Sequence, residues 1–211
     1  MLNYLTLALL LGVSYIPYNL VAQDSDGFVL VRKEGSINLF ERWLTYPESN
    51  PPLQARELKS EFYFNNTHFA GLQLLRNERK IFEWQSHVSE FKVFPAADTT
   101  TWHEYSYHDI PWPVSDQDHF MVYRVRAKSN RVLTVAFEST VNETLAPVRK
   151  GVSRMQLSGS WTFEQINPNR VKVTYRILSK PIGIPKVFTD PIIRSNIMTT
   201  IEEYIRLLER Q

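Results

Sequence analysis

Five histidines, 22 carboxylates and no cysteine bound the chemistry open to this 211-residue chain. Without a thiol, disulfides, thiolate zinc sites, cysteine nucleophiles and c-type haem attachment are excluded together. His103 and His108 are five residues apart, which on a strand puts them on opposite faces, and His119 directly follows Asp118. No H-x-H or H-E-x-x-H spacing is present, so the histidines read as surface or structural groups and no metal site is expected. Asp116 and Asp118 could be read as catalytic carboxylates or a cation site. Between Pro113-Val114-Ser115 and a strand they read better as turn formers that bond nearby backbone amides. A Ser-His-Asp hydrolase needs a nucleophile elbow and a phosphate site a Gly-rich loop; the sequence has neither. No catalytic residue and no cofactor is expected. The net charge of +2, from 24 basic and 22 acidic residues, supplies no field to attract nucleic acid. Asn65-Asn66-Thr67 and Asn142-Glu143-Thr144 match the glycosylation sequon, which matters only in a host that glycosylates secreted proteins.

The elements that would hold such side chains are mostly strands. Phe28 to Lys33 and Ser36 to Leu44 are β-rich runs around Glu34-Gly35, a hairpin signal. From Arg56 to Phe64 the chain alternates, with Leu58, Ser60, Phe62 and Phe64 on one side and Glu57, Lys59, Glu61 and Tyr63 on the other. Asn65, Asn66 and Thr67 can cap a short helix continued by Phe69, Leu72, Leu75 and Arg76. Further strands are expected at about 101–108, 119–127, 131–139, 151–164 and 170–178. In the 151–164 strand Met155, Leu157, Trp161 and Phe163 share a face that needs a cover. Ile193, Ile197, Ile201, Tyr204, Ile205 and Leu208 recur at three and four residues and so line one face of a C-terminal helix, whose start fits Asp190-Pro191. Antiparallel strands closed by one long amphipathic helix make an α+β plan.

The chain is long enough for one ordinary core, and residues 24–211 read as one domain. Residues 1–22 carry no charge. The apolar run from Tyr4 to Ile16 suits a signal-peptide core and is too short for a membrane span. Cleavage after Ala22 and a secreted or periplasmic location are expected, with a buried N-terminal helix as the alternative.

Several segments resemble a known family. Ile110-Pro111-Trp112-Pro113-Val114-Ser115-Asp116-Gln117-Asp118 is similar to the W-P-V-S-x-R-D segment of START domains. Phe69-Ala70-Gly71-Leu72 through Trp84 is similar to the family's helix-and-tryptophan entry. Gly151-Val152-Ser153-Arg154 followed by Gly159-Ser160-Trp161 is similar to its G-x-x-R strand, and Ile184-Pro185-Lys186 to its I-P-K turn. These pieces occur in family order from roughly Phe28 to Glu209. Gln117 stands where arginine is usual, and Ser179-Lys180-Pro181-Ile182-Gly183 replaces a frequent D-P-G-G turn. The resemblance implies a helix-grip fold: a curved antiparallel β-sheet wrapped around the C-terminal α-helix, with an internal cavity for a lipid or sterol-like molecule. It implies that Asp118 helps to hold its loop, and that the 108–118 loop with Trp112 and the terminal helix gate entry. Glu104 falls near the acidic position of sterol-binding members and Arg124 near, but out of phase with, the basic one. Glu104, Arg124 and Arg154 are the candidate polar contacts. Met155, Leu157, Trp161, Ile197, Ile201, Tyr204, Ile205 and Leu208 are the candidate walls. The implied partner is a hydrophobic small molecule, with transient membrane contact. Two other classes stay open: a superfamily enzyme, cyclase or hydrolase, which would need an acid–base pair in the cavity, and an interaction domain whose cavity has collapsed.

Overall fold

The computed structural model describes residues 26–46, 50, 52–112, 115–179 and 186–210. The expected signal segment and cleavage point, Pro113-Val114 of the loop and most of the Ser179–Gly183 turn lie outside these.

Ten strands and two α-helices are arranged in the order β1 (Val29–Glu34), β2 (Ile37–Tyr46), β3 (Leu53–Phe64), α1 (His68–Leu75), β4 (Val88–Pro95), β5 (Thr101–His108), β6 (Gln117–Lys128), β7 (Val132–Ser139), β8 (Ser153–Arg154), β9 (Leu157–Asn167), β10 (Arg170–Ser179) and α2 (Lys186–Glu209). The sheet is open, with strand order β1-β2-β3-β10-β9-β7-β6-β5-β4, every neighbour antiparallel; only two-residue β8 runs parallel, beside β6. The one long jump, from β3 to its neighbour β10, makes the middle of the sheet from distant parts of the chain. α2 lies across one face, here called the inner face, and touches β2, β3 and α1. This is the helix-grip arrangement.

The period-two reading of β3 holds: Phe62 and Phe64 are buried on the inner face, while Glu61 and Tyr63 point outward to Lys172 and Arg170. Three local expectations are revised. The strand expected at 151–164 is broken at Met155-Gln156, because the Met155 N–H turns to donate to the Asp118 carbonyl at 2.8 Å. Arg154 therefore does not share an alternation with Ser158 and Ser160. Thr67 caps α1, its hydroxyl accepting from the Ala70 N–H at 3.3 Å. The face that α1 buries is His68, Gly71, Leu74 and Leu75, with Phe69 exposed, because Gly71 must approach the sheet. A Cβ on Gly71 would lie 2.7 Å from the Phe163 ring, so no larger residue fits. Finally, α2 starts at Lys186, one turn before the expected Asp190-Pro191, and Pro191 lies inside the helix. Its missing N–H breaks one main-chain bond there and separates a short first turn from the long remainder.

Candidate ligand-binding site

Burial along the inner face changes from one end of the strands to the other. At the first end, Phe64 on β3, Val171 and Val173 on β10, Phe163 on β9 and Leu133 and Val135 on β7 are at most 1% exposed. The C-terminal turns of α2 pack on β3 and on α1, and α1 in turn packs on β7 and β9. The Tyr204 ring meets Trp84 at 4.9 Å, Trp161 at 5.6 Å, and Phe62 and Phe64 at 6.4 Å between centroids. Its hydroxyl donates to the Gly71 carbonyl at 2.7 Å, tying α2 to α1. Met198, Ile201, Leu207 and Leu208 complete this closed end. Of the helix face read from the sequence, Ile201, Tyr204 and Leu208 are core, while Ile193, Ile197 and Ile205 are only half-buried against it.

Toward the second end the cover thins. Tyr175 and Ile177 on β10 and Leu157 on β9 face inward at the centre of the sheet, yet all three are half-buried. Apolar side chains in the middle of a nine-strand row are fully covered when a helix packs evenly on them. These are not, so accessible space lies over them. Trp161, stacked on Tyr175 at 4.1 Å, marks the boundary between the two ends. Gly159 sits under the Phe137 ring; a Cβ there would lie 2.6 Å from Phe137 and 2.0 Å from the Arg176 carbonyl.

A polar group borders this space on β5 and β6. Pairing of Ser106 with His119 and of Glu104 with Met121 sets inward Glu104, Ser106, His108, His119 and Tyr123 beside one another. The Tyr123 hydroxyl donates to Glu104 Oε1 at 3.2 Å, and His119 Nε2 lies 3.3 Å from the same oxygen. Ser106 Oγ and His108 Nε2 are 3.1 Å apart, and the His108 and His119 rings are 5.2 Å apart. Burial pushes the Glu104 carboxyl up to about 8, with only the Tyr123 hydrogen bond pulling the other way. Burial likewise pushes His119 down to about 4, against the Asp118 charge, and His108 down to about 3, helped by His119. At neutral pH the group is a carboxylic acid and two uncharged imidazoles. The Tyr175 phenol is also raised, first by burial and then by the Glu104 charge, which places it within range of the same carboxyl. Its hydroxyl has no hydrogen-bond partner among the described residues. Among those residues no three His, Asp or Glu side chains gather as a metal site.

Among the described residues, Arg56 and Arg194 near the inner face are paired. Arg56, 4% exposed, donates to Glu41 at 2.6 Å and to Asp190 at 3.0 Å, and Arg194 donates to Glu41 at 3.0 Å. Burial alone would raise the Glu41 carboxyl, but the bonds from Arg56 and Arg194 hold it below the usual range. This network fastens the first turns of α2 to β2 and β3.

The other residues singled out in the sequence lie elsewhere. Arg124 points outward and pairs with exposed Glu138 at 2.6 Å, so it does not meet Glu104. Arg154 also lies outside the inner face. It grips buried Asp118 with two bonds, of 2.6 and 2.9 Å, and reaches the Ala146 carbonyl at 3.2 Å, holding the 140–152 loop. Asp118 is thus an ion-pair anchor more than a turn former, whereas Asp116 accepts from the Ile110 N–H and the Tyr107 hydroxyl. Met155 sits half-buried in the break between β8 and β9. Trp112 is 91% exposed. His103 stacks on Phe120 on the outer face, opposite His108. An open cleft of about 370 Å³ between Glu90, Phe94, Tyr105, Leu145 and Arg149 is on that outer side too. Sequence reading missed Tyr123, His119, Ser106, His108 and Tyr175. The alternation of 101–108 and 119–125 carries their shared phase, but only the pairing register brings the two strands' polar residues to one place.

A sheet gripping a terminal helix, closely packed at one end and with half-covered apolar side chains at the other, defines a helix-grip domain. No protein-family model and no curated protein sequence matches the chain. Solved structures do. The chain is 25% identical to a STAR-related lipid transfer protein from Xanthomonas axonopodis, over 88% of this chain and 100% of that one, with a TM-score of 0.72. It is 12% identical to human StAR-related lipid transfer protein 5, over 89% and 88% of the two chains, also with a TM-score of 0.72. The Zhui aromatase/cyclase from Streptomyces sp. R1128 shares the fold at a TM-score of 0.54 and 8% identity, over 74% and 94%. The fold of this chain is that of the START domains, and its similarity to them runs through nearly its whole length.

Proposed function

We propose that this domain binds one lipid-like hydrophobic molecule, without chemistry, in the space between the sheet and the first half of α2. The observation that carries this reading is the incomplete cover over Tyr175, Ile177 and Leu157 at the centre of the sheet. The lipid transfer proteins that share the fold support it. Burying a sixteen-carbon chain gains about 13 kcal/mol gross at about 0.8 kcal/mol per methylene. Ordering the chain offsets much of that. Loose fit therefore suffices for affinity, and polar contacts supply selection.

Entry is assigned to the second end, between the first turns of α2 and the 109–116 and 140–152 loops. Transient contact with a membrane belongs to the same reading, because Trp112, Val141 and Val148 are exposed there. Export to a secreted or periplasmic location is part of the proposal, resting on the uncharged apolar residues 1–22; fractionation with sequencing of the mature N-terminus tests it.

Native mass spectrometry of gently purified protein should show a co-purified lipid, and repeatedly empty spectra from lipid-rich cells would count against binding. Leu157→Arg places a charge on the proposed wall and should abolish loading while the closed end keeps the fold; unchanged loading would put the ligand elsewhere. A second reading, a superfamily enzyme, draws on the Glu104–His119–Tyr123 contacts, the type of acid–base cluster catalysis requires. Conversion of a soaked aromatic polyketide mimic, lost in Glu104→Gln, would favour it over carriage.

A further inference from the structure

Resting on the binding reading, we infer that the interior selects uncharged amphiphiles whose polar end is a hydroxyl or ester carbonyl, and turns away those with a phosphate head. Three observations lead there. The polar wall is made of hydroxyls, a carboxyl and imidazoles from three strands: His108 and Tyr175 are half-buried, and Ser106, Tyr123, Glu104 and His119 lie buried behind them. The Tyr175 hydroxyl is an unpartnered donor beside the half-covered apolar centre. A ligand hydroxyl or carbonyl there satisfies a group that the fold leaves open.

The third observation concerns positive charge. Taking a phosphate out of water requires a cation or several aimed N–H donors to replace its hydration. Among the described residues the guanidinium groups that reach the inner face are spoken for. Arg56 and Arg194 are shared between Glu41 and Asp190, two positive charges against two negative. Arg76 stacks on Trp102 at 4.6 Å, at the closed end where no room remains. Arg124 and Arg176 point outward to Glu138 and Glu57. Among the described residues no cation stands beside the polar wall, so a phosphate brought there would face the Glu104 carboxyl and the phenols. The wall also discriminates by what it offers: neutral donors and acceptors that match a hydroxyl in either role.

The test uses the full folded chain and two probes that differ only in the phosphate, 1-oleoylglycerol and 1-oleoylglycerol 3-phosphate. Binding is read below the concentration at which either forms micelles, by quenching of tryptophan fluorescence and by native mass spectrometry. The oleoylglycerol should bind tighter by about tenfold or more, the size expected when a charge is buried without a partner. Equal or tighter binding of the phosphate would overturn the selection while leaving the binding reading intact. Binding of neither would remove both. Tyr175→Phe breaks no hydrogen bond within the protein, so the fold should be kept. It should weaken oleoylglycerol several-fold and leave the phosphate probe unchanged; an equal effect on both would show that Tyr175 contacts the acyl chain and not the head.

Discussion

Glu104 illustrates how far a side chain's chemistry is set by what surrounds it. In the unfolded chain it ionises at the ordinary value of 4.5, whereas burial in the fold moves it to about 8. The folded protein therefore holds a proton that the unfolded chain releases between these values. The stability that Glu104 contributes accordingly falls as pH rises from about 4.5 to about 8 and is level above. His119 and His108 act in the opposite sense. Their lowered values mean that the unfolded imidazoles take up protons the folded ones refuse, so stability also falls as pH drops below the ordinary histidine value of 6.5. Glu104→Gln keeps a neutral group beside Tyr123 and His119. Thermal melts should show it more stable than the parent at pH 9, by on the order of a few kcal/mol, and no more stable at pH 4. Identical melting differences at both pH values would mean that Glu104 ionises normally in the fold.

Among the elements, α2 is held in two different ways. Its last turns are fixed by aromatic packing around Tyr204, its first turns by the Arg56–Glu41–Asp190–Arg194 network, which spans Pro191. Tyr204→Phe removes the bond to Gly71 but keeps the ring. It should cost about 1 kcal/mol and lower the melting temperature by roughly 2–4 °C, without changing ligand loading. Arg56→Ala strands the Glu41 carboxylate in a buried position. A loss of about 3–5 kcal/mol in denaturant unfolding is expected, and a loss under 1 kcal/mol would show Arg194 to be a sufficient partner alone. The strand elements were readable because one buried face imposes a period of two, as in β3. The α1 face was misread because Gly71, which has no hydrophobic signature, is buried for the sake of close approach to Phe163 and Tyr204.

For the molecule as a whole, the three most exposed large apolar residues among those described lie where the proposed entrance is, while Phe69, Phe82 and Ile166, less exposed, lie elsewhere. Trp112, Val141 and Val148 are 91%, 73% and 63% exposed, on loops that meet beside β6 and β8. The Asp118–Arg154 pair, with the bond from Arg154 to the Ala146 carbonyl, ties the 140–152 loop to β6. Trp112→Ser combined with Val148→Ser should reduce co-sedimentation with phosphatidylcholine vesicles several-fold and slow lipid loading, while the melting temperature stays put because neither side chain is buried. Undiminished sedimentation would place the membrane-facing surface elsewhere.

The α+β plan, most strand positions, the terminal helix and the START resemblance were legible in the residues, because periodicity and short motifs are local properties of a chain. Asp118 and Arg154 were both in the motifs, but their pairing was not, since it depends on β8 turning in beside β6. Arg124 and Glu104 show the same limit from the other side: each was near a familiar position, yet strand phase sends one outward and the other in. The neutral polar wall arises from register across β5, β6 and β10, and the open space from uneven packing of α2 over the sheet. Register and packing are long-range outcomes of how β3 closes on β10, which residue order alone does not display.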